Sequence, residues 1–179
     1  MNQRDMTMYK FLFAAIIISI LFSSNFVLAD QAQFKHKLIT LTLPNGWSVN
    51  QNLATNKELI GGLQSQNIAG ASILIYSYRG ITINYRNVRI RGLKQLAQIY
   101  PKGQNHLKKP KTIKTKAGFN PKYELWQGFL DAGSVTVALQ SPMAAMKAKN
   151  SYILMIGYTP DVSGAKMEED FLKILKSAE

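Results

Sequence analysis

Residues 151–177 read SYILMIGYTPDVSGAKMEEDFLKILKS, and this stretch decides the fold. Residues 152–158 (YILMIGY) are the most apolar of the candidate strands and predict the centre of a sheet. After a short connection, Met167, Phe171, Ile174 and Leu175 recur at helical spacing. Glu168, Glu169 and Asp170 come early in that helix and Lys173 and Lys176 late, which suits its dipole. Ser163 or Asp161 is placed to cap it. An amphipathic helix following a buried strand has to lay its apolar stripe on the sheet.

Working back toward the N-terminus, residues 123–130 and 135–139 flank Asp131-Ala132-Gly133-Ser134 and predict a β-hairpin. Residues 111–116 (KTIKTK) read as a strand with a polar face, and residues 102–109 (KGQNHLKK) as an exposed basic loop. Leu93, Leu96, Ala97 and Tyr100 stand at i, i+3, i+4 and i+7, a helix that Pro101 stops. Residues 59–65 and 71–78 are strands joined across residues 67–70, and residues 81–85 extend the sheet. Residues 37–43 (KLITLTL) form the opening strand, followed by the turn Pro44-Asn45-Gly46 and then Trp47. Strands joined by short turns with helices at intervals give an α+β class: an antiparallel β-sheet covered by helices.

The first 29 residues read differently. Arg4 and Lys10 precede the apolar run 11–22 (FLFAAIIISILF), and Val27 and Ala29 form a small-residue exit. This is the order of a secretory signal peptide cleaved near Ala29, shorter in its apolar centre than the ~20 residues a spanning helix needs. The expected product is one domain, residues 30–179, in the periplasm or secreted; retention of the segment as an anchor is the alternative. The chain has no cysteine, which excludes thiol catalysis, zinc–thiolate sites and a lipid-modified cysteine anchor.

The charge is lopsided: 22 Lys and Arg against 10 Asp and Glu, a net charge of +12. No acid occurs between Glu58 and Glu124. From that stretch Arg79, Arg86, Arg89, Arg91, Lys94, Lys108, Lys109, Lys111, Lys114 and Lys116 form the candidate surface for an anionic partner, with Lys102 and Lys122 nearby. The partner classes are an acidic protein or an anionic envelope component, such as lipid head groups or polysaccharide. Export disfavours nucleic acid. The plain alternative is a solvated, self-repelling face.

Nothing assembles into a catalytic, cofactor or metal constellation. His36 and His106 are the two histidines, one at the start of the domain and one in the basic stretch. Glu124 reads as an exposed strand carboxylate paired with a nearby lysine. No G-x-S-x-G elbow and no phosphate-binding glycine loop is present. Trp47, Tyr76, Tyr78, Tyr85, Trp126 and Tyr158 read as core aromatics, with the lining of a ligand surface as the alternative, since Tyr78 and Tyr85 beside Arg79 and Arg86 resemble the aromatic-and-basic interleaving of nucleic-acid or sugar-phosphate binders. The expectation is a non-enzymatic binding protein without cofactor. A small-molecule binder with an apolar pocket between sheet and helices is the second reading, and an unrecognised enzyme the third.

Three features carry a family resemblance. They are the opening strand running into Leu43-Pro44-Asn45-Gly46-Trp47, the strand over residues 151–158, and the ending Phe171-Leu172-Lys173-Ile174-Leu175-Lys176-Ser177. Together they resemble the PsbP-like family, which includes the extrinsic P protein of photosystem II, the Ran-binding Mog proteins and DcrB-like periplasmic proteins. The likeness covers most of residues 36–178. It implies the same α+β sandwich and an adaptor or accessory role, with no partner contacts carried over to this chain.

Overall fold

The computed structural model describes residues 32–80, 82–132 and 135–179. The expected signal peptide, residues 1–29, and the turn residues 133–134 lie outside the described residues. Gln33–His36 (β1) and Ile39–Thr42 (β2) pair as a small antiparallel hairpin. The expected single opening strand is thus broken at residues 37–38 by a turn, which β1 completes. A separate antiparallel sheet of seven strands follows: Trp47–Val49 (β3), Leu59–Ser65 (β4), Ser72–Arg79 (β5), Gln104–Thr112 (β6), Lys122–Ala132 (β7), Val135–Ala148 (β8) and Ser151–Pro160 (β9). Their order across the sheet is β3-β4-β5-β9-β8-β7-β6, so β9 is central, as its apolar run predicts. Two helices, Tyr85–Ile99 (α1) and Gly164–Lys176 (α2), cover the sheet, and a 3-10 turn at Asp161–Ser163 leads into α2.

Alternation along β9 shows why its run 152–158 is apolar. Leu154, Ile156 and Tyr158 pack with Val88, Leu96 and Ile99 of α1. Ile153 and Met155 point the other way, into a cluster with Met167, Phe171, Ile174 and Leu175 of α2 and with Phe34, Ile39 and Leu41 of the hairpin. Successive side chains leave opposite faces of a strand, so a strand covered on both faces has no polar position to spare. The result is three layers: α1, the sheet, then α2 with the β1–β2 hairpin.

The sequence led us to expect the sheet to continue through residues 81–85; residue 81 lies outside the described residues, and residues 82–85 are not strand. Asn84 is extended and its side chain accepts from the Asn87 N–H at 3.0 Å, which starts α1 at Tyr85. The buried face of α1 is Val88, Gly92, Leu96 and Ile99; Ala97 is exposed, and Tyr100 caps the end before Pro101. Gly92 is required by close approach, since a Cβ there would lie 2.5 Å from the Met143 sulfur on β8.

The apolar stripe of α2 is buried as expected, but its expected caps are not made. Ser163 holds the cap position with no side-chain bond, and Asp161 instead accepts from Gln127 Nε2 at 2.8 Å and Gln140 Nε2 at 2.7 Å. Asp170 is buried rather than a solvated dipole partner. It accepts the Trp47 indole N–H at 3.1 Å and a bond from Lys166 at 3.1 Å. Trp47 can reach it because Gly46 closes the preceding turn at φ +82°, in the left-handed region that favours glycine. Past α2, Thr40 and Glu179 exchange two backbone hydrogen bonds, and Ser177 Oγ accepts from the Thr42 N–H at 2.9 Å. The C-terminus is therefore stitched to β2.

Candidate docking surface

The basic loop expected at residues 102–109 is mostly strand. Among the described residues β6 pairs with β7 alone and is the last strand of the sheet, so its outer edge is open there. Apart from Gln104 and the stacked ring of His106, its side chains are exposed. The pairing slips between His106 and Lys108 and again between Lys108 and Lys111, around Pro110. Bulges, lysines and a proline are what an exposed edge needs if it is not to pair with another copy of itself. The strand expected at 111–116 correspondingly ends at Thr112, and Lys114 and Lys116 follow in a loop.

Two anchors hold this edge to the body, and both use acids distant in sequence. On the α1 side, Glu124 of β7 is buried and receives Arg89 in a fork: Nε lies 2.8 Å from Oε1 and Nη2 2.8 Å from Oε2. His106 Nε2 lies 3.1 Å from the same Oε2, and its ring stacks on Trp126 at 4.2 Å and 9°. Glu124 does face away from Tyr123 and Leu125, but α1 covers that face too. The expected exposed carboxylate is therefore a buried one, and its partner is an arginine instead of a lysine. A buried carboxylate persists only when paired and hydrogen-bonded. His106, expected in a solvated loop, is half-buried by the same stack.

On the α2 side, Lys108 Nζ lies 2.6 Å from Glu168 Oε2, and the Tyr123 hydroxyl donates to Glu168 Oε1 at 2.8 Å. Lys111 Nζ lies 5.3 Å from the Tyr123 ring centre. Burial alone would raise the Glu168 pKa, but the bonds from Lys108 and Tyr123, with the charges of Lys108 and Lys111, outweigh it and hold it below the ordinary value. A depressed carboxylate pKa contributes stability above the unfolded value of about 4.3, and that stability is lost as pH falls through the folded value. Lys108→Ala is therefore expected to cost up to about 1 kcal/mol near neutral pH, because the lysine is half exposed, and nearly nothing at about pH 3. Urea unfolding of both proteins at the two pH values checks this.

The remaining candidate cations do not share one face. Arg91 leaves α1 toward the opposite side of β9 from Arg89, pairing with Glu58 at 3.0 Å and lying 4.8 Å over the Tyr78 ring. Lys116 sits 3.9 Å from Glu179. Arg79, Arg86, Lys94, Lys109 and Lys114 are exposed and have no ion pair among the described residues. The stretch that is acid-free in sequence thus meets acids in space at Arg89, Arg91, Lys108 and Lys116. Lys109, Lys111 and Lys114 remain as the accessible cations along the β6 edge.

Of the six aromatics, Trp47, Tyr76, Tyr78, Trp126 and Tyr158 are core as expected, and Tyr85 is half-buried. Burial pushes the Tyr78 hydroxyl up to about 12. The clefts described are open and lined chiefly by charged and polar side chains, the reverse of an apolar ligand pocket. Among the described residues no group of three His, Cys, Asp or Glu could hold a metal ion, and no helix is long and apolar enough to cross a membrane.

No family model and no curated protein matches the sequence. Solved structures do. The PsbP protein of Synechocystis sp. superposes with a TM-score of 0.59 at 9% identity, covering 88% of this chain and 97% of that one. The Saccharomyces cerevisiae Ran-binding protein Mog1p gives 0.53 at 9% identity, covering 79% and 89%. LpqN of Mycobacterium tuberculosis, involved in cell envelope biogenesis, gives 0.50 at 12% identity, covering 78% and 81%. At such identities the likeness speaks for the architecture alone: this chain has the PsbP/Mog1-like α+β fold.

Proposed function

We propose that this protein is a non-catalytic accessory protein that docks an acidic protein segment through the open β6 edge and the loop after it. The observation that carries the reading is Lys109 and Lys111 on the strand edge and Lys114 in the loop after it, all exposed and without an acid in ion-pair reach among the described residues. An edge strand offers backbone donors and acceptors to an incoming extended segment. Its lysines repel a second copy of this chain, whose net charge is +12, and attract an acidic one. A lipid head group would use the charges but not the backbone row, which is why a protein partner fits better. A Ran-binding protein with the same fold supports protein docking as a use of the architecture. The export signal expected in residues 1–29 puts the encounter in the periplasm or outside the cell.

The test is the triple variant Lys109→Glu/Lys111→Glu/Lys114→Glu. Lys108 is left in place because it is bonded directly to Glu168. On immobilised poly-L-glutamate at low salt the parent protein is retained, and it elutes as salt shortens the screening length to below about 8 Å. The variant, with unchanged circular dichroism, passes through. A parent protein that flows through at low salt defeats the docking reading, and a variant retained like the parent moves the surface elsewhere.

A further inference from the structure

On the far side of the sheet from β6, β5 runs three residues past its pairing with β4; the Ser77 N–H is still taken by the Glu58 carbonyl, and the edge is free of β4 beyond it. A cleft of about 410 Å³ lies there, between the turn that follows β1, the loop before β4 and the flank of α1. Four cations from four separate segments line it: Lys37, Lys57, Arg79 and Arg91. One carboxylate, Glu58, faces them. It holds Arg91 in an exposed pair, which is worth little and yields readily to a better anion.

Two details show that the cleft is built rather than only charged. The loop carrying Lys57 is preset: Asn56 Oδ1 accepts the N–H groups of Glu58 and Leu59, both at 2.8 Å, and the Glu58 carbonyl accepts the Ser77 N–H at 2.7 Å. Ser77, 6% exposed, lines the cleft, and its hydroxyl has no hydrogen-bond partner among the described residues. A buried hydroxyl without a partner costs stability, and a bound acceptor would relieve it. Next to this cleft a second one shares Arg79 and adds Lys147 and Lys149. Lys149 is the first residue of the two-residue turn between β8 and β9, where a positive φ, here +53°, is the rule.

We infer that this cleft is a phosphate-binding subsite, in which Arg79, Lys57, Lys37 and Arg91 surround a phosphate group and the Ser77 hydroxyl donates to one of its oxygens. Convergence of several cations on a hydroxyl donor suits a multiply charged oxyanion better than a single carboxylate, and arginine suits phosphate geometry. The subsite shares no residue with the β6 edge and stands or falls independently of it.

His36 supplies the readout. It lines the cleft, its Nδ1 accepts the Leu38 N–H at 3.4 Å, and burial, then Lys37 and Arg79, hold its pKa below the ordinary value. A bound phosphate offsets that positive field and raises the pKa. With only two histidines in the chain, the His36 ring proton is readily followed by NMR, and His106 is the internal control. Inorganic phosphate, titrated into the protein at constant ionic strength, is expected to move the His36 signal saturably, with His106 fixed and chloride inert. Arg79→Gln, or Lys57→Gln should the first variant misfold, weakens the response at least fivefold. Ser77→Ala weakens it severalfold without lowering the melting temperature. Vesicles of phosphatidic acid in phosphatidylcholine are the second arm: a response to them alone assigns the phosphate to a lipid head group, a response to inorganic phosphate to a free one. The β6 triple variant should titrate like the parent. Equal responses to phosphate and chloride, no response in either arm, or an Arg79→Gln protein that titrates like the parent would overturn the assignment.

Discussion

Replacing Phe171 by alanine is expected to destabilise the protein by about 3–5 kcal/mol. Phe171 is fully buried, and its ring lies 6.1 Å from that of Tyr123 at a 50° tilt. It stands in the middle of the α2 stripe, between Met167 and the pair Ile174 and Leu175, in the cluster that also holds the β1–β2 hairpin. The cavity left behind cannot collapse easily. The sheet on one side is fixed by its ladders, and the end of α2 is tied down by the Thr40–Glu179 backbone bonds. For a domain of this size the melting temperature should fall by roughly 10 °C or more. A melting temperature unchanged within error would mean that α2 is not docked on the sheet as described.

Arg89→Met is the second large effect expected, about 3 kcal/mol or more. The substitution keeps the aliphatic packing of the side chain and removes the fork on Glu124, leaving a carboxylate that is 1% exposed with His106 as its remaining partner. The cost comes from the stranded charge rather than from the lost pair, so removing that charge too should recover much of it. Arg89→Met/Glu124→Leu is expected to be closer to the parent protein than Arg89→Met alone, since apolar replacement of a buried pair is often near neutral. Urea denaturation of the two single variants and the double variant measures the coupling. A fully additive cycle would show that Arg89 and Glu124 do not act on each other.

How much of this was legible in the sequence depended on the range of the interaction. β9 and α2 could be read because their patterns are local: an unbroken apolar run covered on both faces, and a stripe at helical spacing. The second half of β8, residues 140–148 (QSPMAAMKA), gave no such signal. It has no β-branched residue and carries Pro142, which normally argues against an interior strand. It is accommodated because Gly157 of β9 leaves room for the proline ring: a Cβ at Gly157 would meet it at 2.7 Å. The start of α1 was misread because its signal is a single capping asparagine, Asn84, behind residues that suit a strand equally well. The charge pattern was legible as a total but not as a surface. Arg89 meets an acid 35 residues away and Lys108 one 60 residues away, and no local pattern announces such pairs. The same limit applies to the cleft at Arg79, whose cations come from four segments and whose informative group, the Ser77 hydroxyl, is an ordinary strand serine in the sequence.

The docking claim is tested most directly by mapping it residue by residue. In a two-dimensional amide NMR titration with poly-L-glutamate at low salt, the account predicts shifts concentrated at residues 104–116. They should be absent in the Lys109→Glu/Lys111→Glu/Lys114→Glu variant and reversed by added salt. Shifts that leave residues 104–116 untouched, or that persist unchanged in the variant, would contradict it.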